Sequence, residues 1–253
     1  LVWKDGELYV TELEENKPLW TLCVYENRGN LKACVMSISG KKYVEPENPP
    51  CFLSNGNFII LHENNLLDRD GHRLNSNEAI VTKIIGCNKD YLVYQTSTDE
   101  AMNRSIQVLN LSTGVNRIIS TEKGNYEAIF NELTNEVICQ YSSIDFFKKI
   151  EKINLADNVT SLLYSEENPL KNYEVPTIEF GTISSEGETL NYRIIKPTNF
   201  DKNKRYPAIL YVYGGPHVQL VQNTWLGGAK SIELVLAQSG FVVFSLDSRG
   251  SSN

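Results

Sequence analysis

The chain has 253 residues, which is enough for one large domain or two smaller ones. Its 24 basic and 31 acidic residues give a formal net charge of -7, and the sequence has no basic stripe, so it argues against nucleic-acid binding as the main function. No apolar run approaches the roughly 20 residues that a membrane-spanning helix requires.

The cysteines are few and widely spaced. There are five, Cys23, Cys34, Cys51, Cys87 and Cys139, and their spacing matches no zinc pattern. Their odd number leaves at least one thiol without a partner in the chain. We expect buried free thiols, with one or two disulfides as the alternative, and the spacing leaves the redox compartment open.

Residues 1 to about 165 have the pattern of an all-β region. Short apolar or alternating runs follow clusters of Asn, Asp and Gly, which is typical of strands joined by tight turns. The clearest runs are residues 8–10, 58–61, 91–94, 106–109 and 137–141. No amphipathic helix interrupts this pattern.

The strands of this region suggest a degenerate repeat. One unit comprises residues 91–94, 105–109 and 114–119, and the next comprises residues 128–130, 137–141 and 149–155. Units that recur at roughly 40 to 50 residues favour the blades of a β-propeller. A β-sandwich is the alternative.

The pattern changes after a proline-containing stretch at Pro169 and Pro176. Residues 178–183 and 190–195 predict a hairpin. The apolar run at residues 208–213 then predicts a central strand that is covered on both faces.

A helix and a further strand follow this run. The helix is predicted over residues 229–239, where Ile232, Val235 and Leu236 have helical spacing. Residues 241–244 predict another buried strand, which completes a strand–helix–strand unit of a parallel sheet. We therefore divide the chain into a β-rich region, residues 1–170, and the start of an α/β domain, residues 171–253.

Two blocks make the α/β region specific. Residues 211–217 read YVYGGPH and residues 245–250 read SLDSRG. In this order, with a predicted helix between them, they resemble the prolyl oligopeptidase family of serine peptidases, in the form of its dipeptidyl peptidase IV branch and particularly of its bacterial members. The resemblance is close over about residues 175–253 and weaker over the β-rich region.

The resemblance implies both a fold and an activity. The fold is the C-terminal part of a β-propeller followed by the incomplete start of an α/β-hydrolase domain. The activity is removal of N-terminal Xaa-Pro or Xaa-Ala dipeptides through an acyl-enzyme, by a Ser-Asp-His triad in that chain order. A peptide substrate and a homodimeric full-length parent are implied as partners, and no cofactor is expected.

Tyr213 is the catalytic residue that the resemblance assigns to this chain. Its phenol is implied to donate a hydrogen bond to the oxyanion, at the carboxyl end of a strand where α/β folds bind ligands. Gly214 and Gly215 allow a sharp turn and Pro216 stiffens it. A packing role at a strand end is the alternative for Tyr213. We expect His217 to line the substrate site or to be structural, because no Ser or Cys partner for a general base is implied.

The other catalytic parts are absent from the sequence. It contains no Gly-x-Ser-x-Gly motif, and the resemblance implies a nucleophile, Asp and His after Asn253 and a substrate-binding glutamate pair before Leu1. We expect the chain alone to be inactive. Asp247 and Arg249 are expected to shape the loop after their strand through an intra-loop salt bridge. No cluster of His, Asp or Glu suggests a metal, and His72 is expected to be a surface or turn residue.

The location of the protein and two rival functions stay open. The chain lacks an initiator Met and a signal segment, so we expect it to begin inside a longer protein. The resemblance implies a periplasmic, secreted or membrane-anchored extracellular parent. The rivals are a non-enzymatic β-propeller binding module with a vestigial hydrolase segment, and an acylaminoacyl-peptidase-like fragment.

Overall fold

The computed structural model describes residues 1–14, 17–40, 49–76, 78–97, 101–215 and 218–251. Within them the chain is mostly strand, with one α-helix, α1 (Ser231–Gln238), and one 3-10 turn, Trp225–Gly228. The strands of the first half are β1 (Val2–Lys4), β2 (Glu7–Leu13), β3 (Leu19–Tyr25), β4 (Leu31–Ser39), β5 (Cys51–Phe52), β6 (Phe58–His62), β7 (Asn65–Asp68), β8 (Ile80–Cys87), β9 (Tyr91–Ser97) and β10 (Arg104–Asn110). Those of the second half are β11 (Asn116–Ile118), β12 (Asn125–Asn131), β13 (Glu136–Ser143), β14 (Phe146–Asn154), β15 (Thr160–Glu166), β16 (Thr177–Ser185), β17 (Glu188–Lys196), β18 (Ala208–Tyr211) and β19 (Val242–Leu246).

The all-β prediction for the first 165 residues is confirmed in the part of the chain that the structure describes, where helix appears only after residue 224. No described helix has the length and apolar character needed to cross a membrane.

By its internal contacts the chain forms two compact units. Unit 1 comprises residues 1–94 and 109–115, and unit 2 comprises residues 95–108 and 116–253. The domain boundary expected near residue 170 lies inside unit 2 and stays a prediction.

Unit 1 contains an antiparallel meander, β1-β2-β3-β4, and a three-stranded antiparallel sheet, β5-β6-β7. Alternating side chains of β3 and β6 form one apolar cluster, which includes Trp20, Leu22 and Phe58. A second cluster includes Leu66 and Leu92, which are fully buried. These clusters explain why the apolar alternation of the sequence located the strands.

Two disulfides lie in unit 1, and the expectation of free thiols is therefore wrong for four of the five cysteines. Cys23 bonds to Cys34, and Cys51 bonds to Cys87. The register of β3 against β4 places Cys23 directly opposite Cys34, with their Cα atoms 4.0 Å apart. Sequence spacing cannot reveal such a pairing because it depends on strand register. Cys139 is the remaining cysteine and is free and buried.

The β-rich part of unit 2 contains residues 95–108, β11 and the meander β12-β13-β14-β15. The strands of the meander pair antiparallel, and a parallel bridge joins Arg104 of β10 to Asn125 of β12. The rings of Tyr126 and Tyr141 lie 4.9 Å apart, centroid to centroid, and are buried. The sequence pattern missed β15, because nearly all of its residues are exposed and so carry no alternation.

The α/β part of unit 2 has the strand order β16-β17-β19-β18. The predicted hairpin is confirmed, since β16 and β17 pair antiparallel along their whole length. The strand–helix–strand unit is confirmed as well, since β18 and β19 pair in parallel with α1 between them in the chain. The central position predicted for residues 208–213 is wrong among the described residues: β18 ends at Tyr211, lies at the sheet edge, and leaves Leu210 63% exposed.

Helix α1 buries only part of the face that its apolar spacing indicates, since Leu236 alone of the three apolar positions packs against the apolar cluster of the sheet. Glu233 and Ala237 are buried, whereas Ile232 is 59% exposed and Val235 is 53% exposed. The physical reason is the ion pair between Glu233 and the buried Arg193 of β17. An unpaired buried charge is so costly that this pair decides which face of the helix meets the sheet.

Candidate active site

Tyr213 lies two residues beyond the end of β18, at the edge of the sheet where the parallel strands β18 and β19 both end. Its side chain is 55% exposed, so the ring is available to a ligand. A Cβ at Gly215 would lie 3.0 Å from Cε1 of Tyr213, so the absence of a side chain there leaves room for the ring. Gly214 has φ +74°, a conformation that favours glycine.

The two residues that follow, Pro216 and His217, lie outside the described residues. The stiffening role of Pro216 and the substrate-lining role of His217 stay predictions.

Asp247 and Arg249 do not form the predicted intra-loop salt bridge. The Arg249 guanidinium instead pairs with Glu186 at 2.5 Å and lies near the carbonyl oxygen of Ser185, in the turn between β16 and β17. The Asp247 carboxylate accepts hydrogen bonds from two consecutive backbone N–H groups, those of Leu220 and Val221. The prediction failed because both partners are distant in sequence.

The Asp247 carboxylate is well bound although it is buried. Oδ1 accepts from the Leu220 N–H at 2.7 Å and from the Val221 N–H at 3.2 Å, and Oδ2 also lies 3.2 Å from the Val221 nitrogen. Burial raises the pKa of Asp247, and the two N–H donors together with Arg193 and Arg104 offset only part of that rise. The carboxylate is thus a specific anchor for residues 220–221.

Arg193 forms the centre of a buried polar network beneath the same segment. Its guanidinium pairs with Glu233, donates to the Gly227 carbonyl at 2.7 Å and lies 3.2 Å from the Ser245 hydroxyl oxygen. A Glu233 carboxylate oxygen also accepts the N–H of Lys230 at 2.8 Å, which caps α1. The network joins β17, β19, α1 and the 3-10 turn, so it fixes their relative positions.

The segment at residues 218–228 is also bound to the β-rich part of unit 2. The Gln219 side chain accepts from Arg104 at 2.6 Å and donates to the Ala101 carbonyl at 2.8 Å. Asn223 accepts the N–H of Ile144 at 3.0 Å and donates to Asn103 at 2.8 Å. This segment therefore receives hydrogen bonds from both parts of unit 2.

Arg104 is a buried cation that is held mainly by neutral groups. Besides Gln219, it donates to the carbonyl oxygens of Ala101 and Asn103. Burial lowers the pKa of Arg104, and the carboxylates of Glu127 and Asp247 act in the opposite direction. Sequence reasoning missed Arg104, Arg193 and Glu233; the one available signal was a charged residue directly before an apolar pair in a strand, as at Arg193.

A polar cleft of about 280 Å³ lies beside Asp247. It is lined by the start of β17, by the residues that follow β19 and by Gln219, with Asn191, Ser248 and Arg249 among its polar residues. Tyr213 is not part of its lining.

A possible cation cluster occurs in unit 1, contrary to the expectation from the sequence. Asp68, Asp70 and His72 place one potential ligand atom each within 4.8 Å of one another. However, Asp68 accepts the N–H groups of Asp70 and His72, and its other oxygen lies 3.2 Å from the His72 ring. Burial raises the pKa of Asp68, but these hydrogen bonds outweigh it and the net shift is downward. These hydrogen bonds belong to a turn, and the turn explains why the three side chains lie close together. This agrees with the turn role expected of His72.

Comparison with solved structures extends the likeness over the whole chain. A Bacteroides ovatus protein assigned as a dipeptidyl aminopeptidase IV aligns with a TM-score of 0.85 and 27% identity, over 98% of this chain and 40% of that one. The Porphyromonas gingivalis dipeptidyl peptidase 4 has the same fold, with a TM-score of 0.83 and 24% identity over 98% of this chain and 37% of that one. In sequence and fold the chain is thus similar to dipeptidyl peptidase IV-like proteins of the prolyl oligopeptidase family.

Curated sequence relatives with dipeptidyl peptidase names agree with this likeness. A Sordaria macrospora protein assigned as a dipeptidyl-aminopeptidase B is 32% identical over 169 residues, which is 63% of this chain and 18% of that protein. Human dipeptidyl peptidase 8 is 44% identical over 84 residues, which is 33% of this chain and 9% of that protein. The aligned part of the chain thus covers less than a fifth of these curated relatives. No protein-family model matches the chain.

Proposed function

We propose that these 253 residues are the C-terminal part of a β-propeller and the start of an α/β-hydrolase domain in a serine-type dipeptidyl peptidase. The observation that carries the proposal is the agreement in fold and sequence with the Bacteroides ovatus protein over 98% of the chain. The four-stranded meanders β1–β4 and β12–β15 support the propeller, because a blade is such a sheet. In this proposal residues 1–170 form the blades and residues 171–253 begin the hydrolase.

The chemistry proposed for Tyr213 is stabilisation of an oxyanion. A serine oxygen attacks the carbonyl carbon of the second substrate residue, and the Tyr213 phenol donates to the oxygen that becomes negatively charged. The tetrahedral species then collapses to an acyl-enzyme as the amine of the remaining peptide leaves, and water hydrolyses the ester. In this proposal the serine and its Asp and His partners belong to polypeptide outside residues 1–253.

The disulfides support the proposed location of the parent protein. Cys23–Cys34 and Cys51–Cys87 are of the kind that persists in oxidising compartments. They therefore favour a periplasmic, secreted or membrane-anchored extracellular peptidase.

The homodimer implied by the resemblance remains part of the proposal, and sedimentation of the longer polypeptide tests it.

The experiment that tests the function uses a polypeptide that extends beyond residue 253 and a Gly-Pro chromogenic reporter. Tyr213→Phe should lower kcat by about 10²- to 10³-fold with little change in KM, because the lost hydrogen bond forms only in the transition state. Tyr211→Phe is the matched control, since the Tyr211 hydroxyl is held by Lys230 at 2.6 Å, and its kcat should be unchanged. The 253-residue chain alone should not cleave the reporter.

Two results would contradict the proposal. If the Tyr213→Phe variant kept full activity, the Tyr213 phenol would not be the group that stabilises the oxyanion. An extended polypeptide that binds peptides but cleaves none would favour the binding module, and release of acylated residues instead of dipeptides would favour the acylaminoacyl-peptidase alternative.

A further inference from the structure

A pocket of about 250 Å³ lies within unit 1. Its lining residues belong to β2, β3 and β4 on one side and to residues 56–69 on the other. All of them are among the described residues of this one compact unit. The pocket shares no lining residue with the cleft beside Asp247, and Tyr213 does not line it. It is therefore a candidate site of its own.

Part of the pocket lining is apolar and buried. Phe58 is 2% exposed and Val24 is 3% exposed, and Val35 packs against the apolar cluster to which Phe58 belongs. Since a molecule of liquid water occupies about 30 Å³, the pocket has room for roughly eight groups of that size. It can therefore take the apolar part of a small ligand, whose removal from water would favour binding.

The polar part of the lining offers two hydrogen-bond donors, the Arg69 guanidinium and the Tyr9 phenol. Within the described part of the chain, neither group takes part in a hydrogen bond or an ion pair. The Tyr9 ring packs on Phe52, with 4.4 Å between the ring centroids. Burial raises the pKa of Tyr9, whereas the charge of Arg69 lowers it, because the guanidinium lies near the phenol. Both donors can therefore serve one acceptor group.

The charges of the lining favour a ligand with a single negative charge. The lining carries two cations, Lys32 and Arg69, and one carboxylate, Glu7. Because Glu7 pairs with Lys32, Arg69 provides the positive charge that is not compensated. A guanidinium binds a carboxylate through two parallel hydrogen bonds, whereas a doubly charged phosphate would exceed the net charge of the lining.

We propose that this pocket binds a small carboxylate that carries an apolar group, either as a free acid or as the C-terminal residue of a peptide. The Arg69 guanidinium binds the carboxylate, the Tyr9 phenol donates a further hydrogen bond to it, and Phe58 contacts the apolar group. The site requires neither Tyr213 nor a catalytic triad, so it goes beyond the proposed function.

Calorimetric titration of the polypeptide that extends beyond residue 253 tests the site with two probes. 4-Methylpentanoate represents a free acid, and N-acetyl-glycyl-leucine represents a peptide C-terminus. At least one should bind with a Kd of about 1 mM or lower, and the tighter of the two identifies the source of the carboxylate. Acetate lacks the apolar group and N-acetyl-glycyl-leucinamide lacks the carboxylate, so each should bind at least about 10-fold more weakly.

Variants of the lining assign the binding to this pocket. Arg69→Gln should raise Kd about 10-fold or more, because a charge-assisted pair is lost, and Tyr9→Phe should raise it about 3-fold. Arg69→Lys keeps the charge without the planar fork and should lie between wild type and Arg69→Gln. Arg28→Gln is the matched control, since Arg28 is an exposed arginine of unit 1 that does not line the pocket. Its Kd should equal that of the wild type.

Any of three results would overturn the inference. These are no binding of either probe at about 10 mM, equal affinity for N-acetyl-glycyl-leucine and its amide when 4-methylpentanoate does not bind, and a wild-type Kd for Arg69→Gln. Because Arg69 is exposed, its variants should fold as the wild type does. Binding is measured without the Gly-Pro reporter, so failure of this site and failure of the proposed peptidase function are separate outcomes.

Discussion

Units 1 and 2 both contain apolar clusters, but they differ in the further interactions that stabilise them. Unit 1 has two disulfides and two apolar clusters in its described residues. Unit 2 has its buried cysteine free, and it buries the ion pair of Arg193 with Glu233 together with Asp247 and Arg104.

The difference matters because the two devices act on different states of the chain. A disulfide stabilises mainly by restricting the unfolded chain, and it does so wherever it closes a loop. A buried polar network stabilises only when every partner is correctly placed, and it fixes geometry for that reason. The network lies in the unit that carries Tyr213, which is where the proposed oxyanion chemistry requires fixed geometry.

The largest effect is expected from breaking the buried ion pair. Glu233→Ala leaves the Arg193 charge buried without its carboxylate, and we expect a loss of about 3 to 5 kcal/mol in the free energy of unfolding. Hydrogen exchange of the amides in α1 and β19 measures this loss. The control is Arg193→Met with Glu233→Leu, which removes both charges and should cost much less; a double variant as unstable as Glu233→Ala would show that the charge imbalance is not the cause.

A smaller effect is expected from removing a disulfide of unit 1. Replacing both Cys51 and Cys87, which are 36 residues apart, by Ala should cost about 3 to 4 kcal/mol by loop-closure entropy. The same replacement at Cys23 and Cys34, which are 11 residues apart, should cost about 1 kcal/mol less. Urea unfolding under oxidising conditions measures both. Losses in the reverse order would indicate that chain entropy does not control the stability of this unit.

The effect that is smallest at neutral pH concerns the free thiol of unit 2, and it grows as the pH rises into the alkaline range. Burial raises the pKa of Cys139 to about 12, whereas an unfolded thiol ionises near pH 8.5. The folded chain thus keeps a proton that the unfolded chain loses, so stability falls as pH rises from about 8.5 toward 12. The slope should be about 1.4 kcal/mol per pH unit from this group.

The thiol prediction is checked by comparing unfolding free energies of the wild type and Cys139→Ala between pH 8 and 11. The difference between the two chains isolates Cys139 from the Tyr and Lys residues that titrate in the same range. Parallel curves would mean that Cys139 is not buried as a neutral thiol. Slow reaction of the native chain with a thiol reagent at pH 8 is the accompanying expectation.

Local patterns were sufficient for much of the fold. Short apolar runs located β6 and β9, alternation located β13, and the apolar runs with a helix between them predicted the parallel pair β18 and β19. The strand β15 was missed because nearly all of its residues are exposed. Such a strand has no buried face, so its sequence shows no alternation of apolar and polar residues. The position of β18 at the edge was missed because a sequence pattern does not identify the neighbours of a strand.

The candidate site was predicted only in its local part. The YVYGGPH block correctly indicated a strand that ends at a glycine turn, with Gly214 at positive φ. The role of the SLDSRG block was predicted wrongly in detail, since the partners of Asp247 and Arg249 are 26 and 63 residues away in sequence. Hydrogen bonds over such separations depend on how the strands are arranged and leave no spacing in the sequence.

The sequence by itself determined the family resemblance, the all-β first region and the strand–helix–strand unit, because these depend on short-range pattern and turn chemistry. Only the tertiary structure decided the cysteine pairing, the buried face of α1 and the partners of Asp247. In each of these cases the deciding free energy belongs to groups brought together by folding: a cross-strand pair for Cys23 and Cys34, a buried counter-charge for Glu233, and two backbone donors for Asp247.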